Sequence, residues 1–259
     1  MSTIGKALGL LDAISRLDRE HGLSDIARLC ALDKATTRRF LVELERHGFV
    51  EQDAETRKYR IGAEPVRLAR IREARFPFLS LAVPVLRDLA AASTETVHLA
   101  EYSAGRLSNI HVEMSPRAHC VTVDVGSVLP FHATASGLAF LAFSPAGLAE
   151  QMLAEPLQAF TRYTLTRAPD LRAMLAETAE RGFSISRQGL EAGVVSTAAP
   201  VRAPDGTPIG TVAIAAPLVR VNAARILELG QQVAEAAGQI SDAFFGLGQP
   251  APTLSRKAG

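Results

Sequence analysis

The 259-residue chain has no tryptophan, and its aromatic residues make up only 5% of it, so a core must be built mainly from Leu, Val, Ile and Ala. No apolar run reaches the ~18–20 residues that a membrane-spanning helix needs. The amphipathic N-terminus carries acidic residues and lacks a cleavage-like site, which argues against a signal peptide. We therefore expect a cytoplasmic protein with no membrane partner.

Cysteine is scarce as well. Cys30 and Cys120 are the only two, and neither belongs to a Cys-x-x-Cys motif or to a His-rich stretch. Such isolated thiols are typical of buried cysteines in a reducing compartment. We expect no disulfide and no metal site, and no motif indicates a cofactor.

Neither sign of charge is in large excess, since the formal net charge is +1. Residues 1–75 contain 15 Lys and Arg against 12 Asp and Glu, and the remainder contains 13 against 15. A difference this small indicates at most a local basic patch, whose meaning depends on where its residues lie.

The first sixty residues alternate between helix and turn signals. Apolar residues recur every three to four positions over 4–17, which predicts a first helix, and Ser24 is placed to cap a short second one, DIARLC. A third helix is expected to begin after Asp33, its predicted N-cap, and to end at Gly48. The segments FVEQD and KYRIG then resemble the two strands of a hairpin. This order predicts a winged helix-turn-helix domain.

Basic and hydroxyl side chains crowd the start of the third helix and the hairpin. A recognition helix meets base edges and phosphates with its first turns, and a wing reaches the flanking backbone. The predicted DNA-contacting residues are Lys34, Thr36, Thr37, Arg38, Arg39, Arg57, Lys58 and Arg60. Taken alone, Arg38 and Arg39 could equally form a solvated helix face. The order of helix, glycine stop and basic hairpin favours DNA binding.

The pattern changes after the hairpin. Residues 64–75 predict a helix opened by Pro65, and the next helix is expected to be interrupted at Pro84. From about residue 95, β-runs that include a short strand in VTVDVGSV are interleaved with helices, which predicts an α+β domain with an antiparallel sheet. The predicted organisation is a winged helix-turn-helix domain at 1–62, a linker helix at 63–78, an α+β domain at 79–247 and a disordered tail at 248–259.

Three stretches, in this order and spacing, resemble the IclR family of bacterial transcription regulators: GKALGLLDAI with LDKATTRRFLVELERHGFVEQD, GSVLPFHATASGLAFLA, and GVVSTAAPVRAPDGTPIGTVAIAAP. The resemblance runs from about Ile4 to Gly246. It implies that the second domain is a GAF-like α/β effector-binding domain and that the protein is a sequence-specific transcriptional regulator. It implies three partners, which are double-stranded operator DNA, a small-molecule effector, and further copies of the chain in a homodimer or homotetramer.

The resemblance also implies where the effector binds. In the family the effector lies against the loop and helix start that follow the Leu-Pro motif, with a wall from the preceding strand and the rest from the C-terminal hairpin. The residues so implied are Ala118, Val121, His132, Thr134, Ala135, Ser136, Gly137, Ser186, Ser196, Ala213 and Ala215. Free N–H groups at such a helix start suit a carboxylate. Small residues there, Ala133 above all, can instead serve close helix–sheet packing.

Four of these positions depart from the family pattern. Ser196 stands where a cysteine is usual, Ala213 and Ala215 stand where some carboxylate-binding members have serines, and Ser186 stands where an acid can occur. A small polar acid such as glyoxylate would leave hydrogen bonds unmade, at ~1–3 kcal/mol for each buried unsatisfied group. We therefore expect a larger, partly apolar effector, such as an aromatic or aliphatic carboxylate or an amide-like relative.

Two other classes of function stay open. An enzyme acting on the same small molecule would need catalytic groups, but the chain has no GxSxG, HExxH or P-loop motif, and Ser196 has no assigned base. We predict no catalytic residues. A ligand-binding or adaptor module, whose winged helix contacts protein, would show little salt dependence and would tolerate Arg39→Ala.

Overall fold

The computed structural model describes residues 2–246, so the predicted disordered tail at 248–259 lies outside the described residues. Packing divides the described residues into two compact units, with the boundary between Phe76 and Pro77. This division falls within the predicted linker at 63–78. In the part of the chain that the structure describes, no single helix is both long enough and apolar enough to span a membrane.

The first unit contains three helices, a two-stranded hairpin and a fourth helix. In chain order they are α1 (Thr3–Ser15), α2 (Leu23–Leu29), α3 (Lys34–Arg46), β1 (Val50–Gln52), β2 (Tyr59–Ile61) and α4 (Glu64–Arg75). The two strands are antiparallel. The predicted helix-turn-helix followed by a hairpin is confirmed.

Capping residues set the helix ends in this unit. Asp33 caps α3 as predicted, because its carboxylate accepts the Thr36 N–H at 2.8 Å. Gly48 leaves α3 with φ +73°, in the left-handed region that favours glycine. The prediction for α2 is wrong, since Gly22 is the N-cap and Ser24 lies inside the first turn.

The second unit is a five-stranded antiparallel sheet flanked by helices. The strands are β3 (Thr96–Ser103), β4 (Arg106–Glu113), β5 (Ser184–Arg187), β6 (Val194–Arg202) and β7 (Pro208–Pro217). The helices are α5 (Phe78–Ser93), α6 (Ala135–Phe143), α7 (Ala146–Ala154), α8 (Ala168–Arg181) and α9 (Ala223–Phe245). Across the sheet the strands follow the order β4-β3-β7-β6-β5. The predicted α+β class with an antiparallel sheet is confirmed.

The two faces of this sheet carry side chains of different size. Alternation along the strands places Val97 and Ile214 on one face, in a large apolar core with α5 and α9. On the other face, four alanines from the sheet and α6 pack together: Ala135, Ala139, Ala198 and Ala213. Because these side chains are single methyl groups, the start of α6 is held close against the sheet.

The predicted strand in VTVDVGSV is absent. Residues 114–134 contain no regular strand, and a single isolated bridge joins Val128 to Ser108. The Leu129 N–H also bonds the Leu107 carbonyl at 2.8 Å, so the segment follows β4 for only a few residues. A turn at Gly126, with φ +86°, interrupts the extended run.

Helix α5 continues through Pro84, where the sequence predicts an interruption. Proline removes one backbone donor from a helix. Phe78 and Ala82 before it, and Leu86 and Leu89 after it, are all buried in the same core. Burial of this face on both sides of Pro84 outweighs the lost hydrogen bond.

Candidate functional site

A core shared by α3 and the hairpin decides which side of α3 faces solvent. Phe40 and Leu41 are buried in one cluster with Val50 of β1 and Tyr59 of β2. The opposite side of the helix is therefore directed outward. The hairpin is fixed to the inner side by the same contacts.

Exposed basic side chains lie on the outward side of α3 and in the hairpin loop. They are Lys34, Arg38, Arg39, Arg57 and Lys58. None of them forms an ion pair within residues 2–246; the nearest ion pairs use Arg46 and Arg60 instead. Thr36 is partly exposed beside them. This surface therefore offers several unneutralised positive charges to an anionic partner.

Two predicted DNA-contacting residues need correction. Thr37 is 0% exposed, and its hydroxyl donates to the Asp33 carbonyl at 2.8 Å, so it belongs to the core and offers nothing to DNA. The Arg60 guanidinium bonds Glu51 at 3.2 Å and Glu20 at 3.3 Å. Its charge is already neutralised within the unit, unlike that of Arg57 or Lys58.

The hairpin loop is held by one carboxylate. Asp53 Oδ1 accepts the Thr56 N–H at 2.7 Å, the Thr56 hydroxyl at 2.8 Å and the Glu55 N–H at 3.2 Å. These bonds, with that from the Thr56 N–H first, hold the pKa of Asp53 below its ordinary value. Arg57 follows with φ +57°, so the loop presents Arg57 and Lys58 from a defined turn.

The other candidate residues surround a cavity in the second unit. It has a volume of about 200 Å³ and lies between α6, the sheet and the irregular segment 114–134. Sites for drug-sized ligands usually measure ~300–1,000 Å³. The cavity is therefore suited to a molecule with a single ring or a short chain.

The start of α6 presents unpaired polar groups to this cavity. Thr134, its N-cap, accepts the Gly137 N–H at 2.9 Å, which leaves the N–H groups of Ala135 and Ser136 without a partner among the described residues. The Ser136 hydroxyl is buried and likewise has no partner there. These donors sit at the positive end of the helix dipole, so they suit an anion.

Most of the residues that the resemblance implies do line this cavity. They are Val121, Thr134, Ala135, Ser136, Ser186, Ser196 and Ala215. Ser186 is less free than its type suggests, because its hydroxyl donates to the Ala133 carbonyl at 3.1 Å.

Four implied residues do not line it. Ala118 is exposed, in a segment that contains no regular strand. His132 Nε2 lies 2.8 Å from the Gln158 carbonyl, on another part of the surface. Gly137 packs against backbone of the preceding turn, and Ala213 is fully buried beneath α6. We therefore remove these four from the predicted effector-contacting residues.

Sequence reasoning misses a polar chain that borders the cavity and is buried at His98 and Asn109. His98 Nδ1 lies 2.8 Å from Asn109 Oδ1, and the Asn109 amide donates to Ser127 Oγ at 2.9 Å. The Ser127 hydroxyl in turn donates to the Asp124 carbonyl at 2.8 Å. Burial lowers the pKa of His98 to about 4, and the bond to Asn109 offsets this only in part, so the ring is neutral at neutral pH. Side chains alternate between the two faces of a strand. This alternation along β3 could have placed His98 on the same face as Thr96, which is the face that packs against α6.

The charges around the cavity are few. No Lys or Arg is found among its described lining residues, and its two acids, Asp124 and Glu191, are exposed where it opens to solvent. The positive potential inside therefore comes from the start of α6. Within residues 2–246, no group of three or more His, Cys, Asp or Glu side chains is arranged to hold a metal ion.

Comparison with protein families matches both units. Residues 74–242 match the family described as bacterial transcriptional regulator IclR, C-terminal, and residues 3–54 match the IclR helix-turn-helix domain. Among curated proteins, the chain is 28% identical over 250 residues to the transcriptional repressor IclR of Escherichia coli K12, covering 95% of this chain and 91% of the relative.

Solved structures agree with the family match. A protein of Silicibacter sp. TM1040, of the IclR transcriptional-regulator type, superposes with a TM-score of 0.84 at 38% identity, over 94% of this chain and 96% of that one. An IclR homologue from Microbacterium hydrocarbonoxydans, complexed with 4-hydroxybenzoate, shares the fold with a TM-score of 0.83 at 24% identity, over 95% of this chain and 100% of that one. The chain thus belongs to the IclR family of DNA-binding transcriptional regulators.

Proposed function

We propose that this regulator binds operator DNA sequence-specifically and that a small, partly apolar or aromatic carboxylate-like effector modulates that binding. The observation that carries the effector assignment is the start of α6. Ala135 and Ser136 line the small cavity, and among the described residues neither their two backbone N–H groups nor the buried Ser136 hydroxyl has a partner. Three donors without an acceptor form a site that a carboxylate completes.

The rest of the cavity favours an effector with an apolar body. Val121, Leu129 and Ala215 contribute apolar surface, and the volume of about 200 Å³ exceeds what a two-carbon acid would fill. The Microbacterium homologue of the same fold is complexed with 4-hydroxybenzoate, a ligand of this chemical class. No described serine of the cavity hydrogen-bonds to a histidine, and we propose that the effector is bound without being converted.

The basic surface of the first unit supports the DNA assignment. Five basic residues without an ion pair in the described part of the chain lie on the outer side of α3 and on the hairpin loop, as in a winged helix-turn-helix that inserts one helix into the major groove. These are the residues that we propose contact DNA, together with Thr36.

Exposed apolar side chains in the same unit support self-association. On α1, Ile4 is 72% and Leu8 57% exposed, and on α4, Val66 is 60% and Ile71 40% exposed. We propose a homodimer or homotetramer in which two recognition helices lie ~34 Å apart, or a multiple of that, to match successive turns of DNA. An effector that prefers one arrangement of the subunits would change this spacing and hence the affinity for DNA.

A gel-shift titration tests the DNA proposal. The purified protein is titrated onto its own upstream intergenic DNA with excess non-specific competitor, and then onto selected sequences from a random library. We expect a discrete shift that survives the competitor. Failure of both DNA sources to yield a competitor-resistant complex would contradict sequence-specific binding.

A thermal-shift screen tests the effector proposal. Benzoate, hydroxybenzoates and short aliphatic acids are compared with glyoxylate and pyruvate, with Ser136→Ala as the matched control variant. We expect the partly apolar acids to raise the melting temperature of the wild type, and to do so less in the variant. Stabilisation by glyoxylate or pyruvate alone would contradict the proposed effector class.

A further inference from the structure

The polar chain beside the cavity fixes the hydrogen positions of His98. The Asp124 carbonyl can only accept, so the Ser127 hydroxyl must donate to it and must accept from Asn109 in return. The Asn109 amide therefore turns its NH₂ group to Ser127 and its oxygen to His98. An amide oxygen can only accept, so Nδ1 of His98 carries the hydrogen.

This arrangement leaves the other ring nitrogen as a bare acceptor. A neutral imidazole has one donor and one acceptor nitrogen, and here Nδ1 is the donor, so Nε2 is the acceptor. Among residues 2–246, the hydrogen bond to Asn109 is the only one that the ring of His98 makes. His98 is 6% exposed and borders the cavity, and its unpartnered Nε2 is not among the fully buried atoms, so the occupant of the cavity decides what is placed against Nε2.

Nε2 of His98 and the start of α6 bind different chemical groups. A carboxylate oxygen is itself an acceptor, so it has nothing to gain from Nε2 and is directed to the N–H groups of Ala135 and Ser136. A hydroxyl hydrogen has the opposite preference. A ligand that satisfies both ends of the polar lining carries an acid and a donor on one apolar frame.

We propose that the effector is a hydroxy acid and that Nε2 of His98 selects it by accepting a hydrogen bond from its hydroxyl group. This inference rests on the proposed function, because it concerns a second group of the same carboxylate effector. It names His98 as a specificity-determining residue that the family resemblance does not include among the pocket residues. Asn109 acts through His98, as a positioning residue.

Isothermal titration of the full-length protein tests the inference with matched acids. The probes are benzoate, its three hydroxy isomers and its three methoxy isomers, together with pentanoate, 5-hydroxypentanoate and 5-methoxypentanoate. We expect at least one hydroxy acid to bind about tenfold or more tightly than both its unsubstituted and its methoxy counterparts, because those fill the cavity and leave the Nε2 acceptor unpaired. A methoxy group has the same oxygen but no hydrogen to donate.

The outcomes separate the two proposals. Binding of acids with no preference for a hydroxyl group overturns the present inference and leaves the carboxylate site standing. Binding of no acid overturns both.

Two variants distinguish recognition from a structural effect. His98→Phe removes the acceptor, so the hydroxyl preference should fall to about one while benzoate still binds. In Asn109→Asp, a carboxylate beside Nδ1 favours the charged imidazolium, whose Nε2 is a donor, so the ratio of hydroxy to methoxy affinity should fall below that of the wild type. Equal weakening of every acid in His98→Phe, or an unchanged hydroxy-to-methoxy ratio in Asn109→Asp, would overturn the inference.

Discussion

Adjacent residues of α3 should separate folding from DNA binding. Thr37 is 0% exposed and its hydroxyl bonds the Asp33 carbonyl at 2.8 Å, whereas the neighbouring Arg38 is exposed and unpaired within the described residues. Alanine substitution at each position therefore removes a different kind of interaction. The pair forms an internal control, because the two side chains start from consecutive backbone positions of one helix.

The expected magnitudes follow from these surroundings. Thr37→Ala loses a buried methyl group and one hydrogen bond but gains helix propensity, so the free energy of unfolding should fall by about 1–2 kcal/mol. Arg38→Ala should change that free energy by less than about 0.5 kcal/mol. The slope of log K against log[salt] is negative, and losing one phosphate contact makes it shallower by ~0.9 per recognition helix. When the salt concentration rises fourfold, the variant should therefore lose less affinity than the wild type does, by a factor of about 3.5 for each recognition helix.

Urea denaturation and fluorescence anisotropy measure the two quantities. Anisotropy with a labelled duplex between 50 and 200 mM salt gives the slope, and non-specific DNA is sufficient because the phosphate term does not depend on sequence. We expect Thr37→Ala to be less stable than the wild type with an unchanged slope. We expect Arg38→Ala to be as stable as the wild type with a shallower slope. The assignment of the outer face of α3 would be refuted if Thr37→Ala made the slope shallower, as Arg38→Ala does, while leaving stability unchanged.

Three further predictions concern the effector site and the helix start. Ser136→Ala removes a buried hydroxyl without a partner, so the ligand-free protein should become more stable by ~1–3 kcal/mol while its affinity for benzoate falls; a stability loss in thermal denaturation would contradict this. Asp33 has a lowered pKa, chiefly through the Thr36 N–H, so the stability it contributes is present above its unfolded pKa and is lost as the pH falls through the folded one. Between pH 6 and pH 3, the wild type should therefore lose more stability in urea titrations than Asp33→Asn does. Equal losses in the two proteins would contradict this contribution of Asp33. Gly137→Ala would place a methyl group on the Phe131 backbone, so we expect a loss of ~1–3 kcal/mol or more in urea denaturation, whereas a variant as stable as wild type would show that the turn can shift.

Much of the fold can be predicted from local signals. The N-cap at Asp33, the glycine at 48 and the following hairpin are specified by neighbouring residues, so the helix-turn-helix and its wing are confirmed. The failures come from tertiary contacts. α5 passes through Pro84 because its buried face continues on both sides, and the run at 121–128 stays irregular because only a few of its backbone groups pair with β4.

The candidate site is less predictable because its residues come from distant segments. The start of α6 carries a recognisable motif, so Thr134 and Ser136 can be named from the sequence. The polar chain cannot, since His98 and Asn109 stand on two strands and Ser127 in a segment without regular structure. Thr37 shows the converse limit, because residue type suggested contact with DNA whereas helical phase buries it.

The walls of the cavity differ in how tightly the fold constrains them. The start of α6 is locked to the sheet through four alanines, none of which can grow without moving the helix. The opposite wall, from residues 121 to 129, forms no regular strand, and its hydrogen bonds to β3 and β4 involve Val121, Gly126, Ser127 and Leu129. Substitutions there can reshape the space for the effector's body while the anion-binding end keeps its geometry. New effector specificities can therefore arise on this scaffold by changes in one short segment, while the start of α6 continues to bind the acid group that the effectors share.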